Sequence, residues 1–179
     1  MARKAKQNYI NNPDFLQAMI DYRAKVAQAE EDGKPKPQVP RYIGECFLKI
    51  ANRLSHKPNF INYSFRDEMI SDGVENCMQY IDNFDPEKSS NPFAYFTQII
   101  YFAFLRRIDK EKKQLYIKFK MSEKLNIDEA TSDRQEHDSD VDFNDHIKND
   151  ADSQEYIDNF IQNFEASRRK KKAKSEAET

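Results

Sequence analysis

The chain of 179 residues has no tryptophan, three glycines, two cysteines and no apolar run long enough to cross a membrane. So few glycines leave no phosphate-cradling loop of the P-loop or Rossmann type. Cys46 and Cys77 belong to no CxxC pair, and the three histidines are scattered, which argues against a zinc site or a disulfide framework. No Ser/His/Asp or Cys/His arrangement can be assembled from so few candidates, so no catalytic residue is assigned and an enzyme is a remote reading. The opening MARKAKQNY leads into no signal-peptide core. Together these absences predict a reduced, cytoplasmic protein with no cofactor, no metal and no membrane association.

What is present is charge, unevenly placed. Charged residues make up 34% and hydrophobic residues 38%, which predicts a small core with unstructured segments around it. The net charge of -2 hides strong local imbalances. Residues 106–124 hold eight Lys/Arg against three Asp/Glu, whereas 126–155 hold eleven acids against Arg134 and Lys148. The acidic stretch has almost no aliphatic residues and is expected to be largely disordered. Beyond it, Tyr156, Ile157, Phe160, Ile161 and Phe164 form a short amphipathic stripe, and RRKKKAK follows with six positive charges. That run reads first as a solvated tail and second as a source of salt-sensitive attraction to DNA.

Periodicity predicts an all-α protein. Asn12 and Pro13 suggest a helix start, and Phe15, Met19, Tyr22 and Val26 recur at helical spacing over 13–31. The breaker-rich DGKPKPQVP separates this helix from YIGECFLKIANRLS, where Ile43, Phe47, Ile50 and Leu54 share one face. Ser64 and Asp67 form an S-x-x-D start signal for a third helix. Its apolar face is predicted as Ile70, Val74, Cys77 and Ile81, extending to Phe84, and its opposite face carries Glu68, Asp72, Glu75 and Gln79. Gly73 costs this helix about 1 kcal/mol relative to alanine, which points weakly to close approach of another element. After the turn DPEKSS, Asn91 and Pro92 begin a fourth helix in which six of the twelve residues 93–104 are aromatic.

The aromatic helix can be read in two ways. Phe93, Phe96, Ile100, Phe104 and Ile108 lie on one side and are assigned to the core. Tyr95, Gln98, Phe102 and Leu105 share another side. Aromatic faces stack on unpaired bases for about 1–3 kcal/mol each, and Arg106, Arg107 and Lys110 would neutralise phosphates nearby. Composition alone favours core for such a helix, and a basic cluster at a helix C-terminus also suits the helix dipole.

The stretch DEMISDGVENCMQYIDNFDPEKSSNPFAYFTQIIYFAFLRRI resembles region 2 of bacterial sigma factors. The shared pattern is an acidic helix with an interior glycine, a phenylalanine before a turn, and an aromatic helix with a Tyr-x-Thr step. Gly73, Phe84, Tyr95 and Thr97 fall in register with it. The closer similarity is to the late-transcription sigma factors of T-even-like bacteriophages, through YINN…LQAMIDY, DG, NFD and NP-x-AY-x-TQ, over roughly residues 8–120. The resemblance implies a small region-2-like helical domain that acts in the cytoplasm of an infected bacterial host. It implies that Glu68, Ser71, Asp72, Met78 and Gln79 dock on the clamp coiled coil of the largest subunit of the host core RNA polymerase. It also implies a promoter-DNA surface. Phe84, Lys88, Tyr95 and Gln98 would hold an adenine flipped from an AT-rich element, and Tyr101, Phe102, Leu105 and Arg106 would track the DNA further along. Extruding a base costs a few kcal/mol, so a stacking pocket can select and melt together.

The sequence departs from the primary sigma pattern at Gln98 and Ile99, where those proteins carry a tryptophan pair, which predicts weaker unaided melting or help from accessory factors. No helix-turn-helix domain is expected after residue 125. The family implies a phage sliding clamp and a late co-activator as further partners. The extreme C-terminus, KSEAET, carries no close match to a clamp-binding motif. The nearest candidate is Phe160, Ile161 and Phe164, for which a short helix packed back on the domain is an equal reading. The expected organisation is an N-terminal helix and Pro-rich linker over 1–41, a sigma-region-2-like domain over 42–124, an acidic linker over 125–153, and an amphipathic segment with a basic tail over 154–179. Two non-enzymatic alternatives stand beside the sigma reading: a polymerase-binding regulator that does not read DNA, and a nonspecific single-strand-binding protein.

Overall fold

The computed structural model describes residues 9–131 and 151–177, so most of the predicted acidic linker, 125–153, lies outside the described residues. Among the described residues the protein is all-helical, with no strand. Its helices are α1 (Asn12–Glu31), α2 (Arg41–Ser55), α3 (Arg66–Gln79), α4 (Pro92–Thr131) and α5 (Ala151–Ala177), with one turn of 3-10 helix at Ile81–Asn83. The chain divides into two compact units, Met1–Ile108 and Asp109–Thr179. No described helix is long and apolar enough to cross a membrane, and no described group of three or more His, Cys, Asp or Glu could hold a metal ion.

In the first unit α1, α2 and α4 bury the faces that the sequence predicts, except that Val26 and Phe93 are only half-buried, and α1 lies inside the core rather than apart with the linker. Phe15, Met19 and Tyr22 of α1 meet Ile43, Phe47, Ile50 and Leu54 of α2, and Phe96, Ile100, Phe104 and Ile108 of α4. Phe15, Phe47 and Phe96 form a ring cluster, with Phe47 and Phe96 centred 4.6 Å apart. Phe60, in the connection after α2, sits edge-on to Phe104 at 5.2 Å and closes the far side of the core.

The predicted apolar face of α3 holds at its C-terminal end, where Cys77, Ile81 and Phe84 are buried, and shifts by one position in its first turns. Met69, Gly73 and Cys77 are buried, while Ile70 and Val74 are only half-buried on the flank. Gly73 is the reason. A Cβ there would lie 2.9 Å from Ile100 Cγ2 and 3.1 Å from Phe104 Cε1, so the missing side chain lets α3 close onto α4. Gly73→Ala improves helix propensity by about 1 kcal/mol, but overpacking costs about 1–3 kcal/mol. Ile100, branched at Cβ and buried, has little room to yield, so the expected net result is a loss on the order of 1 kcal/mol. A urea titration checks this: the midpoint falls for the variant, and a rise would contradict the close approach.

The helix starts differ in detail from expectation. Ser64 does not cap α3, which begins after Phe65 without a side-chain cap. Asn91 caps α4 as expected, its side-chain oxygen accepting from the Ala94 amide at 3.0 Å. Asn12 also serves α4. Its Oδ1 accepts from the Phe93 amide at 3.2 Å and its Nδ2 donates to the Ser90 carbonyl at 3.3 Å, tying the start of α1 to the start of α4.

The second unit pairs residues from Asp109 onward in α4 with α5. Helix α5 runs well past the predicted amphipathic stripe and carries the basic run in helical form. Tyr116 stacks on Phe164 at 4.7 Å, Phe119 meets Phe160 edge-on at 5.7 Å, and Ile161 is buried.

Candidate docking and nucleic-acid surface

The turn between α3 and α4 is held from outside as well as by its own backbone. The Asp85 carboxylate accepts from the Glu87 amide at 3.1 Å, and its carbonyl accepts from the amides of Lys88 and Ser89. Arg23 of α1 donates to the Phe84 carbonyl and lies 3.8 Å from the Asp85 carboxylate. Lys36 in the linker pairs with Asp82. None of these anchors is visible in local pattern, because Arg23 and Lys36 are remote in sequence from the turn they hold.

The Glu87 amide first, then Lys88, hold the Asp85 carboxyl below the ordinary aspartate range. A depressed folded-state value means that this stabilisation is present above the ordinary aspartate range and is lost as pH falls through the lower, folded value. In an NMR titration the Glu87 amide is expected to shift with a midpoint below the ordinary aspartate value. A midpoint at or above it would contradict the Asp85 contacts.

The residues predicted to face DNA differ widely in exposure. Phe84 is 0% exposed, so it presents no stacking face; its ring packs behind Tyr95 at 5.3 Å and beside Phe96. Tyr95 is half-buried, while Gln98 is exposed. Tyr101, Phe102 and Leu105 are 37%, 47% and 38% exposed and form an apolar strip on the surface of α4. The strip is braced, since Tyr101 meets buried Phe60 at 5.7 Å and Phe102 at 5.9 Å. Lys88 is exposed and pairs with Asp85 at 3.3 Å. Lys110 belongs to the second unit.

Helices α3 and α4 are joined by polar contacts that the sequence reading assigned elsewhere. Arg107 Nε donates to Asp72 Oδ2 at 2.6 Å and Nη2 to Asp72 Oδ1 at 2.7 Å, a bidentate pair at a half-buried position. Arg106 Nη2 donates to Asn76 Oδ1 at 2.7 Å. Asp72 and Arg107, expected on a polymerase surface and a DNA surface respectively, are therefore engaged with each other. Arg107→Ala leaves Asp72 half-buried without this partner, for an expected loss of about 1–3 kcal/mol, reduced by the remaining solvent access. The urea midpoint reads this, and an unchanged midpoint would contradict a structural role for the pair.

The remaining docking candidates, Glu68, Ser71, Met78 and Gln79, are exposed on α3. Met78 and Tyr80 add exposed apolar area at the end of that helix. Cys77 is buried on the opposite side, and burial pushes its thiol up to about 12, which suits a packing role and no reactivity. Phe160, Ile161 and Phe164 point their apolar area into the α4–α5 pairing of the second unit. No protein-family model matches the chain, and no curated protein matches it.

Proposed function

We propose that this protein is a sigma-like subunit of RNA polymerase, of the late-transcription kind found in T-even-like bacteriophages. In this reading Glu68, Ser71, Met78 and Gln79 bind the clamp coiled coil of the host core enzyme, and α4 engages a melted AT-rich promoter element. The observation that carries the proposal is the exposed strip Tyr101, Phe102 and Leu105 on a helix whose other face is fully buried. Apolar and aromatic area kept on the surface of so polar a chain suits stacking on unpaired bases. Phe84 contributes from behind, as the floor on which Tyr95 rests.

Asp72 and Arg107 act in this reading by fixing α3 against α4, so that docking and base capture stay in register. No nucleotide hydrolysis is required, since stacking and phosphate contacts supply the energy. The burial of Phe84 and half-burial of Tyr95 favour one competing reading, a polymerase-binding regulator that does not open DNA. Incubating the chain with bacterial core polymerase and separating the mixture by gel filtration at modest salt tests the feature common to both. Co-elution is expected, and failure to co-elute would overturn the proposal.

A further inference from the structure

The basic run at the end of the chain is part of a built surface. Helix α5 carries Arg168, Arg169, Lys170, Lys171, Lys172 and Lys174 in its last turns. Pairing within the second unit sets this stretch beside Asp109–Lys113, where Lys110, Lys112 and Lys113 are exposed. The pairing is fixed by the Tyr116–Phe164 stack, by Tyr116 Oη donating to Glu165 at 2.9 Å, and by Lys171 donating to Asp109 at 3.1 Å. Arg168 lies 5.4 Å from the centre of the Phe164 ring, which holds its guanidinium on the surface of the pair. Asp109, Lys112, Phe164, Ser167, Arg168 and Lys171 line an open hollow of about 370 Å³.

We infer that this end of the second unit is a phosphate-binding surface for the backbone of duplex DNA, read without regard to sequence. Charge and dimensions carry the inference. Residues 109–113 and 168–174 hold nine cations against Asp109 and Glu111, and Glu165 and Glu176 flank the α5 run. Helical rise spreads the α5 cations over roughly 10 Å, and packed helices lie about 8–10 Å apart. Duplex DNA presents one negative charge per about 1.7 Å of axis with both strands counted, so 10 Å of duplex carries about six phosphates in a stiff array, of which the patch meets those on the facing side. A single strand, at about 3.4 Å per charge, brings about half as many. The exposed ion pairs within the patch, such as Arg169 with Glu165 and Lys172 with Glu176 at 3.7 Å, are weak enough to be exchanged for phosphate. The cations are long and exposed, and the hollow they flank is open, which favours a uniform polyanion over the particular side chains of an acidic peptide.

The surface is built entirely from residues of the second unit, and its test needs no polymerase and no promoter sequence. The full chain is titrated against a labelled random-sequence duplex by fluorescence anisotropy from 50 to 300 mM salt. The triple variant Lys112→Gln, Arg168→Gln, Lys171→Gln is expected to lose more than about tenfold in affinity at the lowest salt. Its log–log salt dependence is expected to be shallower by about two to three, from about 0.9 per lost phosphate contact. A second triple variant, Arg169→Gln, Lys170→Gln, Lys172→Gln, is expected to show a similar loss, and circular dichroism reports whether each keeps its helix. The control Lys25→Gln, Lys34→Gln, Lys49→Gln removes equal charge from the first unit and is expected to bind nearly as wild type. Unchanged affinity and slope in both surface variants would overturn the inference. So would an equal loss in the control, which would reduce the effect to net charge. Polyglutamate displacing the duplex at equal charge concentration would overturn it in favour of an acidic protein partner.

Discussion

Phe96→Ala destabilises the first unit by about 3–5 kcal/mol, the range for truncating a fully buried phenylalanine. The ring is enclosed by Phe15 at 5.8 Å, Phe47 at 4.6 Å, Phe84 at 5.8 Å and Tyr95 at 5.1 Å. These neighbours come from α1, α2, the turn and α4, so no single element can move in to fill the space. A loss of this size is a large part of the 5–15 kcal/mol typical of a domain. The urea midpoint of the variant is expected to drop steeply. A midpoint near that of the wild type would mean that the aromatic helix is not built into the core as described.

Phe102→Ala gives the opposite pattern, little effect on stability and a large effect on DNA. Its ring is 47% exposed, and among the described rings it meets only Tyr101, so truncation is expected to change stability by no more than about 0.5 kcal/mol. If the ring stacks on an unpaired base, its loss costs about 1–3 kcal/mol of binding, which is about 5- to 150-fold in affinity. The measurement is binding of the variant, with core polymerase present, to a promoter fragment opened over its AT-rich element. Unchanged affinity would favour the regulator that does not read DNA. Tyr95→Ala is a poorer probe, because Tyr95 also packs against Phe84 and Phe96 and its loss disturbs the core.

The faces of α2 and α4 were legible because their apolar residues are large and regularly spaced. Ile43, Phe47, Ile50 and Leu54 recur on one stripe, and Phe96, Ile100, Phe104 and Ile108 on another, and all are buried. On α3 the stripe predicts Cys77, Ile81 and Phe84 correctly but points to Ile70 and Val74 in place of Met69 and Gly73, because Gly73 carries no hydropathic signal. Phe60 is buried although it lies in an irregular connection, where no period marks a residue as core. The length of α5 is not legible for a related reason: a run of like charge suggests a solvated tail, while the i,i+4 pairs Arg169–Glu165 and Lys172–Glu176 that accompany the helix lie only at the edges of that run.

Of the candidate site, exposed Gln98, Phe102 and Leu105 followed from subtracting the core stripe from the aromatic helix; Tyr95 of the same set is half-buried, and Tyr101 came only from the family resemblance. What did not follow was which polar groups join the helices. Asp72 and Arg107 lie 35 positions apart, and nothing in either local pattern pairs them. The burial of Phe84 agrees with its place at the end of the α3 stripe and not with the stacking face that the resemblance implied: its carbonyl accepts from Arg23 and its ring packs against Tyr95.

Permanganate reactivity of thymines is the most direct test of sigma-like promoter opening. A supercoiled template carrying an AT-rich late-promoter element is treated with core polymerase, with and without the chain. The account predicts reactive thymines within the element only when both proteins are present, and their loss with Phe102→Ala. An identical pattern with and without the chain would contradict it.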